Sequence, residues 1–211
     1  MSERPRDEIV RPQLLASDLL FRGRVWDVRR DTFVLEGGML VREYVDHPGA
    51  VAIMAIDEDD QVLLIRQYRH PVASHEWELP AGLLDVPGED PLRAAQRELA
   101  EEADLTASTW AVLLDYFSSP GGMNEALRIY VARDLSPVPE DQRHERVAEE
   151  AHLITEWVGL DDVREAVLAG DLHNPSLVAG ALAACATRER GWRDLRPADA
   201  PWPQHPAHRD A

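Results

Sequence analysis

Gly82-Leu-Leu-Asp85-Val-Pro-Gly88-Glu89-Asp90-Pro91-Leu-Arg93-Ala-Ala-Gln-Arg97-Glu98-Leu99-Ala-Glu101-Glu102-Ala-Asp104-Leu105 is the stretch on which the reading of this 211-residue chain turns. Its second half predicts a helix. Asp90 is placed to cap the first free amides, and Pro91 suits the first helical position, where no backbone donor is needed. Leu, Ala, Gln, Arg and Glu follow, all good helix formers. Leu92, Ala95, Leu99 and Ala103 recur at spacings of three, four and four, which makes one apolar face. The acids stand elsewhere. Glu98 and Glu102 are four apart, one above the other, with Glu101 beside them.

Like charges at that spacing each destabilise a helix by roughly 0.2–0.5 kcal/mol. A divalent cation on the face reverses the sign. Mg²⁺ in particular is a hard ion that takes carboxylate oxygens and substrate phosphates. A merely solvated acidic face is the bland alternative. Against it stands the register: Arg97-Glu98-Leu99-Ala100-Glu101-Glu102 follows a Gly-rich loop and Glu89 at fixed spacing.

These residues resemble the Nudix box, Gly-x5-Glu-x7-Arg-Glu-U-x-Glu-Glu-x-Gly-U, with U bulky and apolar. The match is long and specific. Two positions depart from it. Six residues separate Gly82 from Glu89, one more than the pattern has, and Asp104 stands where the pattern has Gly. A left-handed residue is expected there to end the helix, and Asp tolerates that conformation better than most.

The rest of the chain is read around this element. Its composition, 45% hydrophobic and 29% charged, is that of a soluble globular protein. No apolar run approaches the roughly 18 residues of a membrane span, and the first residues lack a signal-peptide core. Cys185 is the only cysteine, so no internal disulfide forms and a reducing cytoplasm is expected. The net charge of −17 argues against nucleic-acid binding. It also means that an anionic substrate needs local cations, a metal and a few arginines.

Residues 1–17, polar and Pro-interrupted, read as an extended arm. Val25–Val28, Thr32–Leu35 and Leu40–Val45 read as short strands, with Gly37-Gly38 as a turn. Ala50–Ile56 reads as a buried strand, and Val62–Tyr68, Trp110–Phe117, Ala126–Ala132 and Leu153–Val158 as further strands. Asp161 is expected to cap a helix to about Ala169, and Asn174-Pro175 to open another, ending near Gly191. The tail from Arg193, with four prolines, is expected to be irregular. The domain plan is an N-terminal β extension and dimerisation region (1–47), a catalytic domain (48–192) and a Pro-rich tail (193–211).

The resemblance implies an α/β/α sandwich: a mixed sheet flanked by helices, with an N-terminal β extension that packs across a dimer and helps to build an adenosine pocket. It implies a metal-dependent hydrolase that uses Mg²⁺ or Mn²⁺. Glu98, Glu102 and the Ala81 carbonyl are the implied ligands. Glu101 binds a second metal or orients the first. Glu89 pairs with Arg97 or reaches the metal through water. Pro120, 15 positions past Leu105 within Ser119-Pro120-Gly121-Gly122-Met123-Asn124-Glu125, resembles the marker of the ADP-ribose pyrophosphatase branch. The implied reaction is then ADP-ribose plus water to AMP and ribose 5-phosphate. Gln67-Tyr68-Arg69 resembles that branch's phosphate-contacting segment, and Arg presents a fork of donors. Glu78 joins Arg69 among the implied substrate contacts. Glu125, toward a ribose or a metal-bound water, and Arg128, toward phosphate, are candidates that a structural ion pair would explain equally. Glu150, with Glu149 next, is the implied catalytic base, on a loop that precedes the last strand. Rival readings are another diphosphate substrate (a sugar nucleotide, a dinucleotide or a coenzyme A derivative), a sensor that binds without hydrolysis, and a structural acidic protein.

Overall fold

The computed structural model describes residues 4–145 and 153–205. Contacts divide the chain into two units: 1–48 with 119–125 and 202–211, and 49–118 with 126–201. The larger unit carries the box.

That unit is built around β4 (Ala50–Ala55), six residues buried on both faces, as its unbroken apolar run demands. β4 runs parallel to β9 (Ala126–Pro137) and antiparallel to the short β7 (Ala81–Leu83). β9 forms a long antiparallel hairpin with β8 (Leu105–Phe117), and β11 (Arg196–Pro197) closes the edge, giving the order β11-β8-β9-β4-β7. A second sheet joins β5 (Gln61–Arg69) to β10 (Ile154–Gly159) and β6 (Ser74–Glu78), all antiparallel.

Side-chain alternation along β4 makes the layers. Val51, Ile53 and Ala55 pack with Ala94, Ala95 and Leu99 of α1 (Pro91–Ala103). Ala52 and Met54 pack with Leu177, Ala181 and Ala184 of α3 (Pro175–Arg188), and with Leu160 of α2 (Leu160–Ala169). A mixed sheet thus lies between helices, the expected α/β/α arrangement. α3 approaches closely because residue 180 is glycine: a Cβ there would lie 2.8 Å from Met54 Cε and 3.2 Å from Leu79 Cδ1. Cys185 is buried in this helix as a free thiol. Among the described residues, no helix is long and apolar enough to cross a membrane.

The smaller unit carries a three-stranded antiparallel sheet of β1 (Gln13–Arg22), β2 (Asp27–Leu35) and β3 (Gly38–Asp46). Here the structure corrects the expectation. The expected arm is a strand from Gln13 onward, and a single strand, Asp27–Leu35, takes in the second half of the strand expected at 25–28 and all of that expected at 32–35, leaving Val25 and Trp26 outside it. β1 lacks clean alternation and carries two bulges in its register with β2, so its identity comes from its partner rather than its own pattern. In the larger unit, Asp161 does not cap α2. The cap is Gly159, and Asp161 lies in the first turn, where a carboxylate favours the positive helix end. The tail is not wholly irregular either, since Arg196 and Pro197 pair with Val112 and Ala111.

Candidate active site

α1 forms as its sequence prescribes. Asp90 Oδ1 accepts from the Leu92 amide at 2.9 Å, Pro91 opens the helix, and Asp104 ends it at φ 55°, ψ 33°. The extra apolar contact is Ala94, buried beside Ala95 and Leu99.

The acids then meet two features that periodicity does not foretell. The first is Arg97. Its guanidinium donates to Glu89 at 3.0 and 2.9 Å, to Glu98 Oε1 at 2.7 Å and to Glu101 Oε2 at 3.1 Å. Hydrogen bonding to Glu89 is the main cause of a raised Arg97 pKa, opposed by burial and supported by Glu98 and Glu101. The same bond lowers the Glu89 pKa. One cation thereby gathers three carboxylates. The second feature is the strand before the box. Ala81 donates its amide to Glu102 Oε2 at 2.9 Å. Gly82 lies against Glu98, and a Cβ built there would fall inside the contact radius of Glu98 Oε1, Cδ and Cγ. β7 is held for this by pairing Ala81 with Ala52 and Gly82 with Val51.

The donor set is one of hard oxygens on a single helix face, with a glycine where any side chain would displace Glu98. This fits a divalent cation. Among the described residues no three acidic, His or Cys side chains converge closely enough to hold a metal ion; Glu98 Oε1 accepts from Arg97 and Glu102 Oε2 from the Ala81 amide. The contact to Glu102 comes from the amide of Ala81, the residue whose carbonyl was the expected ligand.

Arg69 stands exposed at the end of β5 and grips the buried Glu78 with both prongs, at 2.7 and 2.6 Å. Glu78 raises the Arg69 pKa, burial opposes it, and Glu102 adds to it. The grip engages two of the five guanidinium donors. Gln67 also donates to Glu78, at 3.2 Å. Arg128 is different. It is 2% exposed, paired with Asp115 at 2.7 and 3.0 Å, and donates to the carbonyls of Ala200 and Pro201. The structural ion pair, one of the two readings left open for Arg128, is thus formed, with its donors turned to Asp115 and the two carbonyls.

Pro120 and Glu125 belong to the smaller unit, Pro120 exposed and Glu125 half-buried. Glu125 Oε1 lies 3.5 Å from Nε2 of the buried His47. Burial lowers the His47 pKa, against the opposing pull of Glu125 and Asp46. His47, Asp46 and Asn124 were not singled out from sequence. The loop's turn signals concealed a buried amide at Asn124. Glu149 and Glu150 lie outside the described residues.

Comparison with known proteins bears on the same residues. The NUDIX domain model matches residues 46–179. An ADP-ribose pyrophosphatase of Mycobacterium tuberculosis is 40% identical over 195 residues, covering 92% of this chain and 92% of that protein. One from Bacillus subtilis is 35% identical over 127 residues, covering 60% of this chain and 68% of the other. A crystal structure of an ADP compounds hydrolase superposes with a TM-score of 0.68 at 24% identity, covering 88% of this chain and 99% of that one, a likeness of fold. Box register, sandwich and matched span agree, and the chain belongs to the Nudix hydrolase family.

Proposed function

We propose that this enzyme hydrolyses ADP-ribose to AMP and ribose 5-phosphate with Mg²⁺ or Mn²⁺. The observation that carries the reading is 40% identity across 92% of both chains to an ADP-ribose pyrophosphatase. Glu98, Glu101 and Glu102, with the Ala81 carbonyl, would hold the metal. When bound, a divalent cation neutralises diphosphate charge and acidifies water.

The chain's own residues supply the rest. Arg97, anchored by Glu89, fixes the rotamers of Glu98 and Glu101 before substrate arrives. Arg69, held by Glu78, turns its remaining donors to the diphosphate, offsetting part of the repulsion from a chain of net charge −17. Pro120 and Glu125 contact substrate from their loop. Glu150, or Glu149, accepts the proton of the attacking water. Its oxygen joins one phosphorus as the bridging P–O bond breaks.

We further propose a homodimer that pairs through the N-terminal sheet. β1 is exposed along its whole length, and Leu14 and Phe21 are 55% and 58% exposed. Three strands with such a face need a cover, and a second copy supplies one of matching chemistry. The lone Cys185, buried and free, suits a cytoplasmic enzyme.

The test is a panel of ADP-ribose, sugar nucleotides, dinucleotides and coenzyme A derivatives with Mg²⁺, with and without chelator, products separated by chromatography. ADP-ribose should give AMP, and the chelator should abolish turnover. Glu98→Gln and Glu102→Gln should each lower kcat by orders of magnitude while the protein stays folded. Cleavage of another panel member but not ADP-ribose would overturn the substrate assignment.

A further inference from the structure

The loop Ser119–Glu125 connects β8 to β9, yet its contacts place it with the N-terminal sheet. The fastening is polar and specific. Gly122 O accepts from the Val45 amide at 2.9 Å, and the Asn124 amide donates to Val45 O at 3.2 Å. The Asn124 side chain, 7% exposed, closes the attachment. Its Oδ1 accepts from the His47 amide at 2.7 Å, and its Nδ2 donates to Asp46 Oδ1 at 2.6 Å. Asp46 Oδ2 in turn accepts from Arg29 Nε at 2.6 Å. Chemistry fixes the orientation of this amide. The His47 N–H can only donate and the Asp46 carboxylate can only accept, so one side chain must offer both an acceptor and a donor. Asn does so at this reach. Directly beside it in sequence, Glu125 meets His47 Nε2.

We propose that Asn124 is a positioning residue: by bridging Asp46 and the His47 amide it locks the loop to the end of β3, and so fixes where Pro120 and Glu125 stand for substrate. Arg29 extends the lock into β2, so Arg29 and Asp46 of the sheet, Asn124 of the loop and the His47 amide just past β3 form a single chain of hydrogen bonds. The functional half of this inference rests on the ADP-ribose reading. The structural half does not.

The bond pattern supplies its own test. Asn124→Asp sets two carboxylates against each other, and Asp46→Asn sets two amides that cannot satisfy both neighbours. The exchange of both, Asp46→Asn with Asn124→Asp, restores every donor and acceptor. Arg29 then donates to the side-chain carbonyl introduced at position 46. The amide nitrogen introduced there donates to the carboxylate introduced at position 124, and that carboxylate still accepts from the His47 amide. Amide hydrogen exchange over residues 119–125 is compared in the wild type, both single variants and the double variant. Either single variant should exchange about tenfold faster there, and the double variant should return close to the wild type. KM for ADP-ribose should rise about tenfold in the single variants, with kcat little changed, and fall back in the double.

Wild-type exchange in the single variants, or a double variant that behaves like them, would overturn the lock. Expected exchange with an unmoved KM would overturn the positioning role. If Asn124→Asp fails to fold, Asp46→Asn, which removes a charge rather than adding one, carries the same comparison. A wild type that leaves ADP-ribose intact refutes the proposed substrate, while the exchange data still decide the lock; KM is then read on the substrate that the panel identifies.

Discussion

Gly82→Ala separates catalysis from stability in one substitution. The new methyl would lie well under 3.0 Å from Glu98 Oε1, Cδ and Cγ, whereas ordinary contact begins near 3.4 Å. The glutamate carboxylate must therefore retreat by more than about 1 Å, and a misplacement of that size at a reacting centre costs about 10²-fold in rate. The fold is disturbed much less, because the nearest atoms in the way all belong to one flexible side chain. Off-rotamer strain of about 0.5–1.5 kcal/mol, with partial loss of a half-exposed contact to Arg97, bounds the damage. For a chain of this size that is a Tm decrease of about 2–6 °C. Steady-state kinetics with saturating metal, beside a thermal melt, read both quantities. A variant with wild-type kcat would refute the reasoning, since Glu98 would then not need its position. So would a Tm loss above about 15 °C, which would mean that the backbone, not Glu98, gives way.

Glu149→Gln and Glu150→Gln, compared side by side, should show a sharp loss of kcat with little change in KM for Glu150; a loss at Glu149 alone moves the role one residue, and none in either returns it to the box. Arg128→Met should destabilise the protein by about 3–5 kcal/mol in denaturant titration, because Asp115 and two carbonyls lose a buried partner. Its KM for ADP-ribose, measured well below the melt, should stay within about threefold of the wild type, and a tenfold rise would favour the phosphate contact over the purely structural ion pair. Light scattering at micromolar concentration should give twice 23.7 kDa, and the monomer mass would refute the dimer.

Much of this was legible in the residues, for local reasons. The cap at Asp90, the proline at 91 and the left-handed Asp104 are backbone chemistry that a sequence states directly. β4 was legible because burial on both faces leaves an uninterrupted apolar run. β1 was not, because a strand with an exposed face and two bulges shows its nature only beside β2. The acids of the box could be read as a set, but not the way Arg97 and the Ala81 amide share them out, which needs the approach of β7 to α1. Arg128 illustrates the limit most clearly. An arginine at a strand's start looks alike whether it faces a phosphate or Asp115, and only the fold puts Asp115 across the ladder from it.

The alternation along β4 has an evolutionary consequence. Val51, Ile53 and Ala55 face the helix that bears the acids, while Ala52 and Met54 face α3. Interiors are packed too tightly for a volume change to go unanswered. Among relatives, substitutions at 51, 53 and 55 should therefore covary with 94, 95 and 99, and those at 52 and 54 with 177, 181 and 184. The two sets would drift on separate clocks. Lineages could remodel the α3 side freely while the other side stays bound to the geometry of Glu98 and Glu102.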